Sequence, residues 1–372
     1  MKTVIPVENG DVLSAMRGFL GKLLETGAVE AIYVPLEADS GAVLPALVTD
    51  PARMKHANPL APIMPINGAR AVSALTNKQA PARLGAVLRP CEMRALVELV
   101  KLQQASVETL TLIGLDCPGT YELPEAVAKR REGLDLAGYL AGAKEGAEPA
   151  FGGLSLRPAC QMCLNPTSDL AAISLELIGV DASQGVPVTL PDEIAAKLGL
   201  AEAGGASSGR QAAVERLVAA RSQRREKELA AIRTQMGSNG GVAGLFATCI
   251  RCHNCMTACP ICYCKTCLFK SASFDHKPEH YLTAAHRKGA TRMLSDAMLF
   301  QVTRMNHMSA SCVSCGMCTS ACPSDIPVGT IFSAVGSQVQ AAFGYQPGRS
   351  LDEPLPLVTF RESEWTEVGE AK

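Results

Sequence analysis

Two cysteine runs constrain this chain more than any other feature. The first reads Cys249-x2-Cys252-x2-Cys255-x3-Cys259-Pro260, and the second Cys312-x2-Cys315-x2-Cys318-x3-Cys322-Pro323. Three thiolates at two-residue intervals can hold three irons of one [4Fe–4S] cluster, while the fourth, followed by proline, reaches across to a neighbouring cluster. The spacing therefore predicts two clusters with crossed ligands. Cys249, Cys252, Cys255 and Cys322 would hold one; Cys312, Cys315, Cys318 and Cys259 would hold the other. Structural zinc also uses Cys-x2-Cys, but as two pairs set well apart. His253 lies inside the first run and is expected beside the ligands rather than among them, because cysteines already complete the count.

Composition bounds the rest. Of 15 cysteines, eleven lie between Cys249 and Cys322. The opening Met-Lys-Thr-Val-Ile-Pro lacks the pattern of an export signal, so a cytoplasmic, reducing location is expected, where dense cysteine points to metal rather than disulfides. A net charge of −1 and 4% aromatic content give no electrostatic or stacking case for nucleic acid. No apolar stretch is long enough to span a membrane.

Residues 1–120 alternate between strand-like and helix-like segments. Strands are expected at Thr3–Val7, Ala31–Pro35, Ala46–Val48, Leu84–Leu88 and Leu110–Leu115. Helices are expected at Asp11–Thr26, Ala69–Leu75 and Glu92–Gln103. The alternation predicts an α/β domain with a mostly parallel sheet. Ala137–Gly153, rich in Gly and Ala, reads as loop. Gln211–Met236 reads as a long helix whose charged middle, Arg221 to Glu228, is a solvated face. Gly237-Ser238-Asn239-Gly240-Gly241 stops it. The expected division is 1–200 for the α/β domain, 201–240 for a helical linker, 241–345 for a helical two-cluster domain, and 346–372 for an extended tail.

About fifty residues separate the two runs. Thr283–Met308 reads as helix with Leu294, Met298, Leu299, Val302 and Met305 as a core-packing stripe, and Ile331–Phe343 is helical again. This region resembles the helical ferredoxins of succinate dehydrogenase and heterodisulfide reductase subunits. The four N-terminal cysteines add a third candidate centre. Cys91 and Cys117 each follow a predicted strand, at the carboxyl edge where α/β folds place ligands, and Cys160-x2-Cys163 supplies a pair. Zinc, or unligated thiols, is the alternative there. Cys262-Tyr263-Cys264-x2-Cys267 exceeds what two clusters need; these three could ligate a fourth centre, substitute for a ligand above, or be spare thiols.

The stretch Leu84-Gly-Ala-Val-Leu-Arg-Pro-Cys-Glu-Met-Arg-Ala-Leu-Val-Glu-Leu-Val-Lys101, with Gly114-Leu-Asp-Cys-Pro-Gly-Thr120 and Cys160-x2-Cys163 followed by Ala171-Ala172-Ile173-Ser174, resembles the beta-subunit family of coenzyme F-420 hydrogenases and dehydrogenases, which includes formate dehydrogenase beta subunits. The resemblance implies an iron–sulfur flavoprotein subunit of a multi-subunit oxidoreductase. It would pass electrons between a catalytic partner and a soluble carrier (a deazaflavin, NAD(P) or ferredoxin), with FAD beside a [4Fe–4S] cluster on Cys91, Cys117, Cys160 and Cys163. Flavin would convert between one-electron clusters and a two-electron carrier. Ser174 belongs to the family motif, and Thr76, Asn77, Lys78 and Arg83 are candidates for the cofactor phosphates. The chain departs from the family pattern at Ala172 and Glu176, where an Asp and a Gly are expected. A side chain at 176 stops backbone from approaching a cofactor closely, which leaves a flavin-free electron relay as the alternative. A heterodisulfide-reducing or quinone-linked subunit and a zinc-stapled binding module are the remaining ones.

Overall fold

The structure is a computed structural model that describes residues 1–38, 40, 42–77, 82–130, 136–149, 153–203, 209–290, 294, 296–356 and 358. It divides into two compact units, Met1–Lys227 and Glu228–Lys372.

The first unit is built on a seven-stranded sheet in the order β1-β7-β6-β5-β4-β2-β3. Its strands are β1 (Lys2–Pro6), β2 (Ala31–Glu37), β3 (Val43–Val48), β4 (Leu84–Leu88), β5 (Leu110–Leu115), β6 (Ile173–Leu175) and β7 (Gly185–Thr189). β2, β4, β5 and β6 run parallel, and β1, β3 and β7 are antiparallel to their neighbours. Strand β4 is buried at every residue, as a parallel strand covered on both faces must be. Two strands escape an alternation reading. β6 has only three residues, and β7 contains Pro187, which lacks a ladder donor. The Pro187 carbonyl still accepts from the Glu176 N–H at 2.9 Å.

Helices α1 (Val12–Glu25), α2 (Gly68–Thr76) and α3 (Pro90–Lys101) follow the sequence signals closely. Asp11 caps α1 by accepting the Ser14 N–H at 2.9 Å. Six apolar residues at helical spacing, Val12, Met16, Phe19, Leu20, Leu23 and Leu24, are buried. Helix α3 begins with Pro90 at its first turn. Glu92 accepts the N–H groups of Arg89 at 2.8 Å and Gly68 at 2.7 Å, tying α2 to the start of α3.

The unit continues with α4 (Leu123–Arg130), α5 (Leu136–Glu145), α6 (Pro158–Gln161), α7 (Asp192–Leu198) and the part up to Lys227 of α8 (Arg210–Met236). Helix α5 corrects the expectation of a loop over Ala137–Gly153: Leu and Ala favour helix strongly enough to outweigh two glycines, and Tyr139 and Ala143 are buried. Gly114, in β5, needs to remain glycine. A Cβ there would lie 2.6 Å from Ser168 Cβ and 2.7 Å from Ala171 Cβ. Gly114→Ala should lower stability by about 1–3 kcal/mol, read from the midpoint of urea unfolding.

The second unit is helical, with α9 (Gly241–Leu245), α10 (Asn254–Ala258), α11 (Pro278–Lys288), α12 (Ala297–Met308), α13 (Met317–Ser320) and α14 (Val328–Ala342). The single helix expected over Thr283–Met308 is broken. Helix α11 ends at Gly289, which takes the left-handed conformation, and α12 restarts after Asp296. Among the described residues, no helix is long and apolar enough to cross a membrane.

Candidate metal centres

Strands β4, β5 and β6 end on one sheet edge, where the chain continues into Arg89, Asp116 and Glu176. Cys91 sits in the first turn of α3, directly after β4, and Cys117 follows β5 by two residues. Cys160 is on α6, whose 3.2 Å bond from the Cys163 N–H to the Cys160 carbonyl turns the second thiol back beside it. The Cys117 N–H donates to the Pro166 carbonyl at 2.8 Å, which fixes the β5 loop against the segment after Cys163. Gly119 lets these loops close: its φ is +130°, and a Cβ would lie 2.7 Å from a Leu156 methyl and 3.4 Å from Cys160 Cβ.

Buried cations surround these thiols. Arg89 interacts electrostatically with Glu92, Cys117, Tyr139 and Cys91, and donates to the Ala61 and Ile63 carbonyls at 2.6 and 3.0 Å. Arg157 donates to Thr120 Oγ1 at 2.8 Å and lies 3.7 Å from Cys160 Sγ. Arg221 donates to the Pro118 carbonyl. The electrostatic balance differs between thiols. Burial pushes Cys117 up to about 11 against the pull of Arg89. Burial also opposes ionisation of Cys160, but Arg157 and two contacts from Thr120 at 3.4 Å hold that thiol below its usual range.

Arg221 overturns the reading of the α8 charged run as wholly solvated: it is 1% exposed. Sequence reasoning missed the buried Arg89, Arg157 and Arg221 around these thiols.

The flavin candidates are not gathered with these thiols. Thr76, Asn77 and Arg83 precede β4 and so lie toward its amino end, opposite the edge that carries Cys91 and Cys117. Thr76 Oγ1 is held inside the fold, donating to the Val72 carbonyl at 3.0 Å and accepting from the Ser106 N–H at 3.3 Å. Arg83 pairs with Glu30 at 3.1 Å. Lys78 lies outside the described residues. Ser174, within β6, shares a 2.6 Å hydrogen bond with Ser168. Glu176 is buried, with Lys2 at 3.6 Å and Arg210 at 3.4 Å from its carboxylate.

In the second unit the two cysteine runs fold alike. The residues flanking the middle cysteine are left-handed in both: Arg251 (φ 55°) and His253 (φ 63°) in the first, Ser314 (φ 58°) and Gly316 (φ 72°) in the second. Such turns curl successive backbone N–H groups toward one centre, a concavity suited to anionic groups. Cys249, Cys252, Cys255 and Cys322 line one cavity with Gln301 and Phe300. Cys259 instead interacts with Cys315 and Cys312, and Cys318 with Cys259, Cys315 and Cys312. Burial raises the thiols of Cys255, Cys259 and Cys318. Paired with no metal, a buried thiol stays neutral; a bound cation reverses that preference.

Helix α12 faces both groups. Gln301 Nε2 lies 3.5 Å from Cys249 Sγ, and Arg304 donates to Cys255 Sγ and to the Cys255 carbonyl, both at 3.1 Å. Arg304 also interacts with Cys259 and Cys318, and packs over the Phe332 ring at 4.9 Å. The expected stripe of Leu299, Val302 and Met305 is therefore corrected: Met305 is buried, but Leu299 and Val302 are exposed, and the inner face carries Phe300, Gln301 and Arg304. Polar side chains take that face because it looks onto thiols rather than a purely apolar core. His253 is half-buried with its ring 4.5 Å from Phe300.

The three extra cysteines part company. Cys262 neighbours Cys259, Cys267 Sγ lies 3.8 Å from Met256 Sδ, and Cys264 is exposed. Among the described residues, no three Cys, His, Asp or Glu side chains gather closely enough to hold a single ion. One zinc draws its sulfurs to about 2.3 Å from itself, whereas a four-iron cluster keeps its ligands apart by its own bulk. The donor chemistry of the three cysteine groups, thiols flanked by buried guanidinium or amide donors, fits iron–sulfur clusters.

Comparison with known proteins agrees with this chemistry. Residues 245–326 match the 4Fe-4S dicluster domain family. The F420-dependent formate dehydrogenase subunit beta of Methanocaldococcus jannaschii is 24% identical over 307 residues, 74% of this chain and 76% of that protein. Subunit beta of the F420-dependent formate dehydrogenase 1 of Methanococcus maripaludis is 27% identical over 313 residues, with the same coverage. A chain of the F420-reducing [NiFe] hydrogenase complex of Methanosarcina barkeri, solved with xenon, superposes with a TM-score of 0.44 at 14% identity, covering 62% of this chain and 92% of that one. Over about three quarters of its length the chain is similar to F420-dependent formate dehydrogenase beta subunits, and its residues 245–326 match the 4Fe-4S dicluster domain family.

Proposed function

We propose that this chain is an iron–sulfur electron-transfer subunit of a multi-subunit oxidoreductase, working with a catalytic partner of formate dehydrogenase or hydrogenase type. The observation that supports it most is the crossed grouping in the second unit: Cys322 lines the cavity of the first run, while Cys259 neighbours the second run. The names of the relatives support the class of partner. Clusters bound at these thiols supply single-electron transfer. The protein's own work is to hold the thiols, exclude water and place Arg304, Gln301 and Arg157 against the sulfurs.

Two of the residues nominated for FAD, which the family resemblance implies, are held by other partners. Thr76 and Arg83 are engaged elsewhere, and Glu176 with Arg210 fills the edge where a glycine would admit a cofactor. That observation favours the flavin-free relay. Without a flavin the chain passes electrons singly, which suits a one-electron carrier such as ferredoxin better than a deazaflavin or NAD(P).

Protein isolated anaerobically with its native partners should contain about twelve irons per chain, little zinc and no stoichiometric flavin. One FAD per chain would return the electron-converting reading. Zinc in place of iron would sink the electron-transfer role altogether.

A further inference from the structure

Among the described residues of the first unit, Arg221 is the buried charge with the most side-chain atoms lacking a hydrogen-bond partner. It is 1% exposed, its Nη2 donates to the Pro118 carbonyl, and its Nε and Nη1 have no hydrogen-bond partner among the described residues. Leaving such donors unpaired is costly, and among the described residues no carboxylate forms an ion pair with this guanidinium as Glu92 does with Arg89. The bond to Pro118 holds it one residue from Cys117, and it acts electrostatically on Cys160. The ordinary role of a buried arginine, bridging elements through carbonyl bonds, uses one of the nitrogens of Arg221 and leaves the others unexplained.

We propose that Arg221 sets the reduction potential of the centre on Cys91, Cys117, Cys160 and Cys163, its two free nitrogens donating to the sulfur-rich face of a [4Fe–4S] cluster. This rests on the reading of those four cysteines as a cluster site. Reduction adds one negative charge to a cluster that is already anionic. Burial alone disfavours that added charge, because a low-dielectric surrounding stabilises it poorly. A fixed guanidinium inside the same surrounding stabilises the reduced form more than the oxidised one, and charge and hydrogen bonds to the sulfurs are the levers that move such potentials. Arg221 is therefore a positioning residue for electron flow: it makes this centre easier to reduce and does not itself react.

The test is a potentiometric experiment, monitored by EPR, on the holoprotein with its native partners. Arg221→Met should lower the midpoint of the N-terminal cluster by at least 59 mV, a tenfold change in its one-electron equilibrium. The two dicluster signals serve as internal controls and should stay in place. Arg221→Lys, which keeps the charge but not the forked donors, should fall between wild type and Arg221→Met. It also keeps the test decisive if the methionine variant fails to fold. An N-terminal cluster that is present and has the same midpoint in the lysine and methionine variants as in wild type overturns the inference alone. A wild-type protein with only about eight irons per chain, and only the two dicluster signals, overturns the cluster site and this inference together.

Discussion

In a Cys322→Ser protein the cluster of the first cysteine run should disappear, and the cluster of the second run, to which Cys322 belongs in sequence, should remain. Iron content should fall by about four per chain, and one dicluster EPR signal should be lost. The reason is the crossing. Cys322 lines the cavity formed by Cys249, Cys252 and Cys255, whereas Cys259 has Cys312 and Cys315 as neighbours. Cys259→Ser should accordingly remove the signal that Cys315→Ser removes. The assignment is sharp because serine is a poor substitute for a thiolate donor toward iron, so each variant reports on one centre. If Cys322→Ser and Cys315→Ser extinguish the same signal, each run holds its own cluster and the crossed arrangement is wrong.

The matching turns of the two cysteine runs were legible because they depend on spacing, and spacing is local. A Cys-x2-Cys-x2-Cys turn imposes its shape within seven residues, which is why Arg251 and His253 adopt the same left-handed geometry as Ser314 and Gly316. The parallel sheet was legible for a similar reason, since β4 and β5 are short apolar runs bounded by turns. What surrounds the thiols was not. Arg89, Arg157 and Arg221 lie in three distant stretches, the last at the head of a charged run, and nothing periodic marks them as buried; only the fold brings them together. On α12 the hydrophobic pattern misleads, because Gln301 and Arg304 turn inward toward sulfur while Leu299 and Val302 remain outside. The flavin candidates before β4 lie away from the thiols for a reason of direction. Polar residues before a parallel strand sit at its amino end, and Thr76, Asn77 and Arg83 all precede β4.

The same sheet edge yields the largest expected effect on stability. Asp116 is 1% exposed and sits between β5 and Cys117. Its Oδ2 accepts the N–H groups of Leu177 at 2.9 Å and Ile178 at 3.1 Å, which fastens the segment after β6. Its two oxygens also take both terminal nitrogens of Arg210, the Nη2 to Oδ1 bond being 3.1 Å. Removing one partner of a buried ion pair strands the other, at a cost of about 3–5 kcal/mol. Asp116→Ala should therefore lower the unfolding free energy of the first unit by about 3–5 kcal/mol, measured by denaturant titration of the sheet signal. Asp116→Asn keeps acceptors for Leu177 and Ile178 and should lose less. The damage should also reach the metal centre. Arg210 opens α8, and Arg221 lies eleven residues on, about three turns later and on the same face. Releasing Arg210 loosens the register that points Arg221 at Pro118, and the substitution adjoins Cys117 directly. Iron in Asp116→Ala should drop by about a third, with the dicluster EPR signals intact. Wild-type iron content and stability in that variant would mean that Arg210 and Asp116 are a solvated pair with no part in holding the edge together.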